Sequence, residues 1–255
     1  MNLSVSNIGW NQSENKKAID ILKSYQISNV DVSPSLINDE IENDYNKADI
    51  KMVGMQSLLY TCPPVSLFDG EIEKQIILNH LKEVFKLANK LKIKPLVFGS
   101  PKNRFIKDFN NFKIEKAIEI FKEIGDMAKT FDCIVCLEAN AKEYGCNFIT
   151  NTTEAINFIN NVKHENLKLV LDISTTIFNS ESLEHIFENG ASLIEHIHIS
   201  SPYLKSIDIL KNKEISSVIK KYNYNKYVTL ECNLLNNETL DTLINNVEIF
   251  SEAYG

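Results

Sequence analysis

Four side chains able to hold a hard divalent cation recur along the second half of the chain. They are Glu138, Asp172, His198 and Glu231, spaced 34, 26 and 33 residues apart. Each ends, or nearly ends, a short β-type run: CIVCLE (133–138), LKLVLD (167–172), IEHIHIS (194–200) and YVTLEC (227–232). Three carboxylates gathered in a small volume force one another's protonation unless something positive sits among them. A single divalent cation meets that need. Oxygen ligands with one imidazole suit Mn²⁺, Mg²⁺ or Co²⁺, with Zn²⁺ also compatible. Taken singly, each acid reads as well as a strand end facing solvent, and His198 as a hydrogen-bonded core histidine. Recurrence on four successive runs is what points to one ion.

An interval of roughly thirty residues is that of a strand followed by a helix. Four further β-rich runs precede these: LSVSNI (3–8), SNVDV (28–32), IKMVGMQ (50–56) and KPLVFG (94–99). Between the eight runs, segments such as EIEKQIILNHLKEVFKLANKL and KIEKAIEIFKEIGDMAKTF carry apolar residues at i, i+3, i+4 and i+7, the mark of a helix packed on one side. Shorter helices are expected around 37–47 and 181–189. Thr152 and Thr153 before Glu154, and Asn236 before Glu238, offer helix-start chemistry. Strand then helix, eight times, predicts parallel strands joined by right-handed crossovers. No GxGxxG or GxxxxGK[ST] follows the first run, which disfavours an open nucleotide-binding sheet. The expectation is an α/β protein with one domain over residues 1–255, a single (β/α)8 barrel, for which 255 residues is an ordinary length. Strand alternation then stacks Cys136 under Glu138, Val170 under Asp172, His196 under His198 and Thr229 under Glu231 on the inward face. The upper four converge on the barrel mouth.

With 44% hydrophobic and 24% charged residues the composition is globular, and the net charge of −7 gives no field for nucleic acid or an anionic membrane. No apolar run is long enough to span a bilayer, and the first residues lack the pattern of a leader. Five scattered cysteines, Cys62, Cys133, Cys136, Cys146 and Cys232, read as reduced thiols, and a cytoplasmic location is expected. In a strand, Cys133 and Cys136 point to opposite faces, so their CxxC spacing does not make a zinc or redox pair. Of the 27 basic residues only Arg104 is arginine. Its planar fork holds carboxylate or phosphate in a way lysine cannot imitate.

The ordered set Glu138, Asp172, His198, Glu231 resembles the metal site of the xylose isomerase-like barrels, a group of sugar isomerases and epimerases that also includes endonuclease IV. Supporting strings run along the chain: SNIGW (6–10), MQSLLY (55–60), LVFGSPKNR (96–104), LEANAKEYGCNFITNTTEA (137–155), LVLDIS (169–174) and HIHISSPYL (196–204). LVFGSPKNR and the LEAN loop are similar to those of bacterial proteins described as sugar phosphate isomerase/epimerase. The resemblance implies one metal ion held by the four residues and bound to neighbouring sugar oxygens, with Glu138 and Glu231 as catalytic proton acceptor and donor. Polarising a carbonyl acidifies the adjacent C–H, so an enediolate becomes accessible and epimerisation or aldose–ketose isomerisation follows.

Two departures from the sugar 3-epimerases of the group stand at Thr175 and Leu204, where those enzymes carry a substrate-contacting histidine and arginine. A different anchor is expected from Arg104 and Lys102 after the fourth strand, for a phosphate, carboxylate or nucleotide group. Gln56, Asn140 and Tyr144 are candidates for hydrogen bonds to sugar hydroxyls, and Trp10 for stacking on an apolar sugar face. Each reads equally well as loop orientation or core filling. The expected partner is a sugar or sugar phosphate, with no nucleic acid or membrane, and self-association into a homo-oligomer is compatible. A dehydratase acting on a keto-sugar or cyclitol begins with the same proton abstraction. A three-zinc nuclease is disfavoured by five histidines and the negative charge, and a non-catalytic sugar-binding barrel is the remaining alternative.

Overall fold

The computed structural model describes residues 1–232 and 240–255. Eight parallel strands, β1 (Asn2–Ser6), β2 (Asn29–Val32), β3 (Lys51–Met55), β4 (Pro95–Phe98), β5 (Ile134–Glu138), β6 (Leu167–Asp172), β7 (Ile194–Ile199) and β8 (Tyr227–Leu230), pair in sequence order and close β8 onto β1. The helices among the described residues are α1 (Asn15–Ser24), α2 (Asp39–Ala48), α3 (Glu71–Lys90), α4 (Ile114–Thr130), α5 (Thr152–Val162), α6 (Ile173–Phe178), α7 (Leu183–Gly190), α8 (Ile209–Lys221) and α9 (Leu240–Tyr254). This is the expected single (β/α)8 barrel. Among the described residues no helix is long and apolar enough to cross a membrane.

Strand alternation sorts the interior. Val135, Leu137, Leu169, Leu171, Ile197, Ile199, Val228 and Leu230 face outward into the large apolar layer under the helices, where α4 contributes Ile120, Phe121 and Ile124. A small separate cluster of Val97, Cys136 and Val170 fills the barrel itself. Cys136 therefore lies inside the barrel and Cys133 in the outer layer, on opposite faces as their spacing requires, and the five cysteines are buried. Above the apolar plug the interior turns polar, with Ser4, Asp31, His196, His198 and Thr229 all wholly buried.

Two register slips aim these polar residues. The β2–β3 ladder shifts between Val30 and Asp31, setting Asp31 beside Gly54. The β6–β7 ladder shifts between Leu169 and Val170, setting Val170 beside His196 and Asp172 beside His198. Bulges of this kind re-aim side chains near barrel rims.

Edge-to-face aromatic pairs run from Phe98 through Phe121 and Phe158 to Phe148 and on to Phe68 and Phe112, with ring centroids 5.0 to 5.6 Å apart. They bind the loops after β3, β4 and β5 to the helical layer, each pair contributing about 1 kcal/mol beyond its burial. The loops after β3 and β4 are also tied directly: Asn103 Nδ2 donates to the carbonyls of Pro63 and Val65, and Ser66 Oγ to that of Phe105. The start of α5 differs from expectation. Asn151, not Thr152 or Thr153, caps it by accepting from the Glu154 N–H, while the Thr152 N–H donates to Glu181. Asn236 lies outside the described residues.

Candidate metal centre

Glu138 ends β5, Asp172 ends β6, His198 lies one residue from the end of β7, and Glu231 follows β8 directly. The Glu231 N–H donates to the Ile199 carbonyl at 2.9 Å, which carries the β7–β8 ladder one residue past β8 and fixes that carboxylate's origin. The four side chains converge: one ligand atom from each lies within 4.8 Å of all the others. His198 is fully buried, with Nδ1 3.2 Å from Glu138 Oε1 and 3.6 Å from Glu231 Oε2. Neither ring nitrogen has a hydrogen-bond partner of good geometry among the described residues.

The electrostatics are those of crowded, buried carboxylates around one imidazole. Burial, with the added repulsion of Glu138 and Glu231, pushes the Asp172 carboxyl up to about 7, even though Ser200 Oγ and the Thr175 N–H each donate to it at 2.6 Å. Burial alone would lower His198, but Glu231, Asp31 and Glu138 outweigh it and hold the imidazole charged well above its ordinary range. Burial would likewise raise Glu138, yet His198, Asn140 and Arg104 keep it below the usual carboxylate range. Three carboxylates and an imidazole, crowded and nearly dry, fit a single divalent ion, which would replace the protons the cluster otherwise needs.

The other expected site residues divide by burial. Asn140 Nδ2 donates to Glu138 Oε2 at 3.0 Å, and its Oδ1 accepts from Arg104 Nη2 at 2.7 Å. Arg104 is wholly buried, so it meets the cluster through Asn140 and is not an exposed cation at the mouth; its Nε and Nη1 have no partner among the described residues. Lys102, in the same loop, is exposed. Tyr144 is half-buried, its hydroxyl bonded to Ser174 Oγ at 2.7 Å and accepting the Tyr203 N–H at 2.9 Å. Ser174 in turn donates its N–H to Ser200 Oγ, so Tyr144 is linked to Asp172 through two serines. Gln56 is buried and donates to Ser6 Oγ, and Trp10 is packed into the core with its indole N–H on Asn15 Oδ1 at 3.0 Å.

Several residues of the site were not anticipated. Ser200 holds Asp172, and Asp31 sits beneath His198; the signal for Asp31 was an acid between the two valines of the run SNVDV, which a buried strand tolerates only with partners. Tyr203 is 60% exposed, packs edge-to-face with Tyr144 and Phe178, and adopts φ 61°, followed by Leu204 at φ 56°. Gly99 is a third. A Cβ there would stand 2.5 Å from Glu138 Oε2. Since the clash falls on the far end of a flexible side chain, Gly99→Ala should leave the thermal midpoint within about 2 °C of the parent while weakening divalent-ion affinity about tenfold, a split that calorimetry and ion titration read separately.

A family model described as xylose isomerase-like TIM barrel matches residues 17–246. No curated protein matches the sequence. Among solved structures, a D-psicose 3-epimerase crystallised with D-fructose superposes with a TM-score of 0.78 at 13% identity, covering 100% of both chains. The 3-keto-D-glucoside 4-epimerase YcjR from E. coli gives 0.76 at 11% identity over 99% of each chain. An AP endonuclease, family 2, from Brucella melitensis gives 0.70 at 14% identity over 91% of this chain and 93% of that one. At such identities the structures testify to the fold, and the family match over most of the length settles membership: the chain belongs to the xylose isomerase-like TIM barrel family.

Proposed function

We propose that the protein is a divalent-metal-dependent isomerase or epimerase of a sugar, sugar phosphate or related derivative, with Glu138 and Glu231 as its acid/base pair. The observation that carries this reading is the convergence of Glu138, Asp172, His198 and Glu231 at the mouth of the barrel. Fold neighbours named as sugar epimerases support it. Bound there, an ion of the Mn²⁺, Mg²⁺ or Co²⁺ type would polarise a substrate carbonyl and acidify the adjacent C–H. Glu138, held ionised, takes that proton, and Glu231, which approaches the same His198 Nδ1 from β8, returns one to the opposite face of the enediolate. Asp172 is held by Ser200 and the Thr175 N–H and stays in place throughout. Exposed Lys102 and Tyr203, with half-buried Tyr144 and Asn140, are the groups offered to the rest of the substrate. Five buried cysteines suit a cytoplasmic enzyme.

The test is metal analysis of the purified protein, then a screen of sugars, sugar phosphates and nucleotide-linked sugars in heavy water. Deuterium appearing at one carbon of a recovered or isomerised sugar supports the reading. Loss of water from the product would make the protein a dehydratase, and metal binding with no exchange on any member of the panel would remove the assignment. Once a substrate is found, Arg104→Lys separates two roles for the arginine. Because the guanidinium reaches Glu138 through Asn140, kcat is expected to fall about tenfold or more with KM within threefold, as for loss of one charge-assisted hydrogen bond. A rise in KM alone would make Arg104 the substrate anchor.

A further inference from the structure

We infer that Asp31 is a positioning residue of the metal centre: its carboxylate keeps the proton of His198 on Nε2 and so turns the Nδ1 lone pair toward Glu138, Asp172 and Glu231. The inference rests on the metal-centre reading above. It starts from a group that the proposed chemistry does not use. Asp31 lies inside the barrel with no exposure, where an ionised carboxylate survives only among donors. Those donors are present. Ser4 Oγ gives a hydrogen bond to Oδ1 at 3.1 Å, and His196 Nε2 stands 2.6 Å from Oδ2, with Thr229 Oγ1 2.9 Å from the same nitrogen. His198 Nε2 is 3.6 Å from that Oδ2, and its Nδ1 faces Glu138 and Glu231 on the other side of the ring.

The imidazole is thus held between two anionic groups, of which only the upper one has access to the mouth. An ion arriving there must take a lone pair, and it can take only that of Nδ1. A lone pair on Nε2 would point at the buried carboxylate and be repelled, so the proton that stays is the one facing Asp31. Carboxylates behind metal-bound histidines fix the tautomer and ring orientation in this way. The backbone is shaped for it. The β2–β3 slip places Asp31 beside Gly54, where a Cβ would come within 2.6 to 2.7 Å of the whole Asp31 carboxyl group. Only glycine leaves room for the carboxylate at that height.

The experiment is titration of the full-length protein, stripped with chelator, with Mn²⁺ and with Mg²⁺ by calorimetry, for the parent, Asp31→Asn and Gly54→Ala. The parent is expected to take one equivalent, and both variants to bind it about tenfold to a hundredfold more weakly. Affinity unchanged within threefold in a folded Asp31→Asn overturns the inference while the metal reading stands. A parent that binds neither ion overturns both. Two equivalents, one lost in Asp31→Asn, also overturn it, because Asp31, His196 and His198 would then form an ion site of their own. Should the variants fail to fold, long-range ¹⁵N–¹H spectra of the Mg²⁺-loaded parent decide: a protonated Nε2 and bare Nδ1 on His198 support the assignment, and the reverse tautomer overturns it.

Discussion

Replacing Glu138 or Glu231 with glutamine is expected to lower kcat by about 10²- to 10⁴-fold, the usual contribution of a positioned acid or base, and Glu138→Gln is expected also to abolish solvent-proton exchange into the substrate whose proton it takes. Both side chains also belong to the candidate metal cluster, so each variant is assayed at saturating divalent ion with the bound metal measured. Glutamine keeps an oxygen for the ion and removes the proton acceptor. The two variants should not behave identically. Glu138→Gln leaves Asn140 Nδ2 facing a neutral amide and strips the closest acid from His198 Nδ1, so it weakens ion binding as well as catalysis. Glu231→Gln leaves the Asn140 and Arg104 contacts in place; it relieves Asp172 of one repelling neighbour but takes from the charged His198 imidazole its main partner, so its two effects on the metal-free protein oppose each other. Wash-in of deuterium from heavy water checks the catalytic claim directly. A Glu138→Gln protein that still exchanges at the parent rate, or a Glu231→Gln protein that still forms product at the parent rate, would show that the proton is handled by another group.

The architecture was legible in the sequence because period and punctuation agreed. Runs ending in Glu138, Asp172 and near His198 are apolar on one face and chemically loaded on the other, and the barrel is the fold that gathers such ends at one mouth. Less legible was anything set by register. The slips between Val30 and Asp31 and between Leu169 and Val170 have no signature in composition, yet they decide that Asp31 lies against Gly54 and Asp172 against His198. Burial misled at Arg104, since a lone arginine in a loop reads as a surface cation until tertiary contacts close over it. Trp10 shows the same limit, its indole satisfied by Asn15 within the core. At α5 two adjacent threonines outcompeted Asn151 on inspection, although asparagine is at least as good a cap and its side chain is the one placed to accept the Glu154 N–H.

Divalent-ion affinity is expected to depend steeply on pH, and the two protons that the metal-free cluster carries set the slope. Asp172 holds its proton up to about 7, against an ordinary 3.8, and His198 stays charged well above its ordinary 6.5. An ion that takes both sites displaces both protons below pH 7 and only the imidazole proton above it. Affinity should therefore rise about a hundredfold per pH unit between pH 5 and 7, and about tenfold per unit from 7 until His198 titrates, as each displaced proton contributes one power of ten. The stability of the metal-free protein runs the other way. Both groups have folded values above their unfolded ones, so their contribution is complete at low pH and is lost as pH rises, through about 7 for Asp172 and higher for His198. Glu138 and Asp31, held low, contribute above the carboxylate range and lose that contribution only under acid conditions, outside this window. The chelator-treated protein should then melt at a lower temperature at pH 8 than at pH 6, while the rise in melting temperature on adding Mn²⁺ or Mg²⁺ grows over the same interval. Titrations at pH 5.5, 6.5 and 7.5 in buffers of differing ionisation heat count the released protons directly. A count near zero at pH 6.5 would mean that the ion binds without displacing the Asp172 and His198 protons, and that the four side chains are not its ligands.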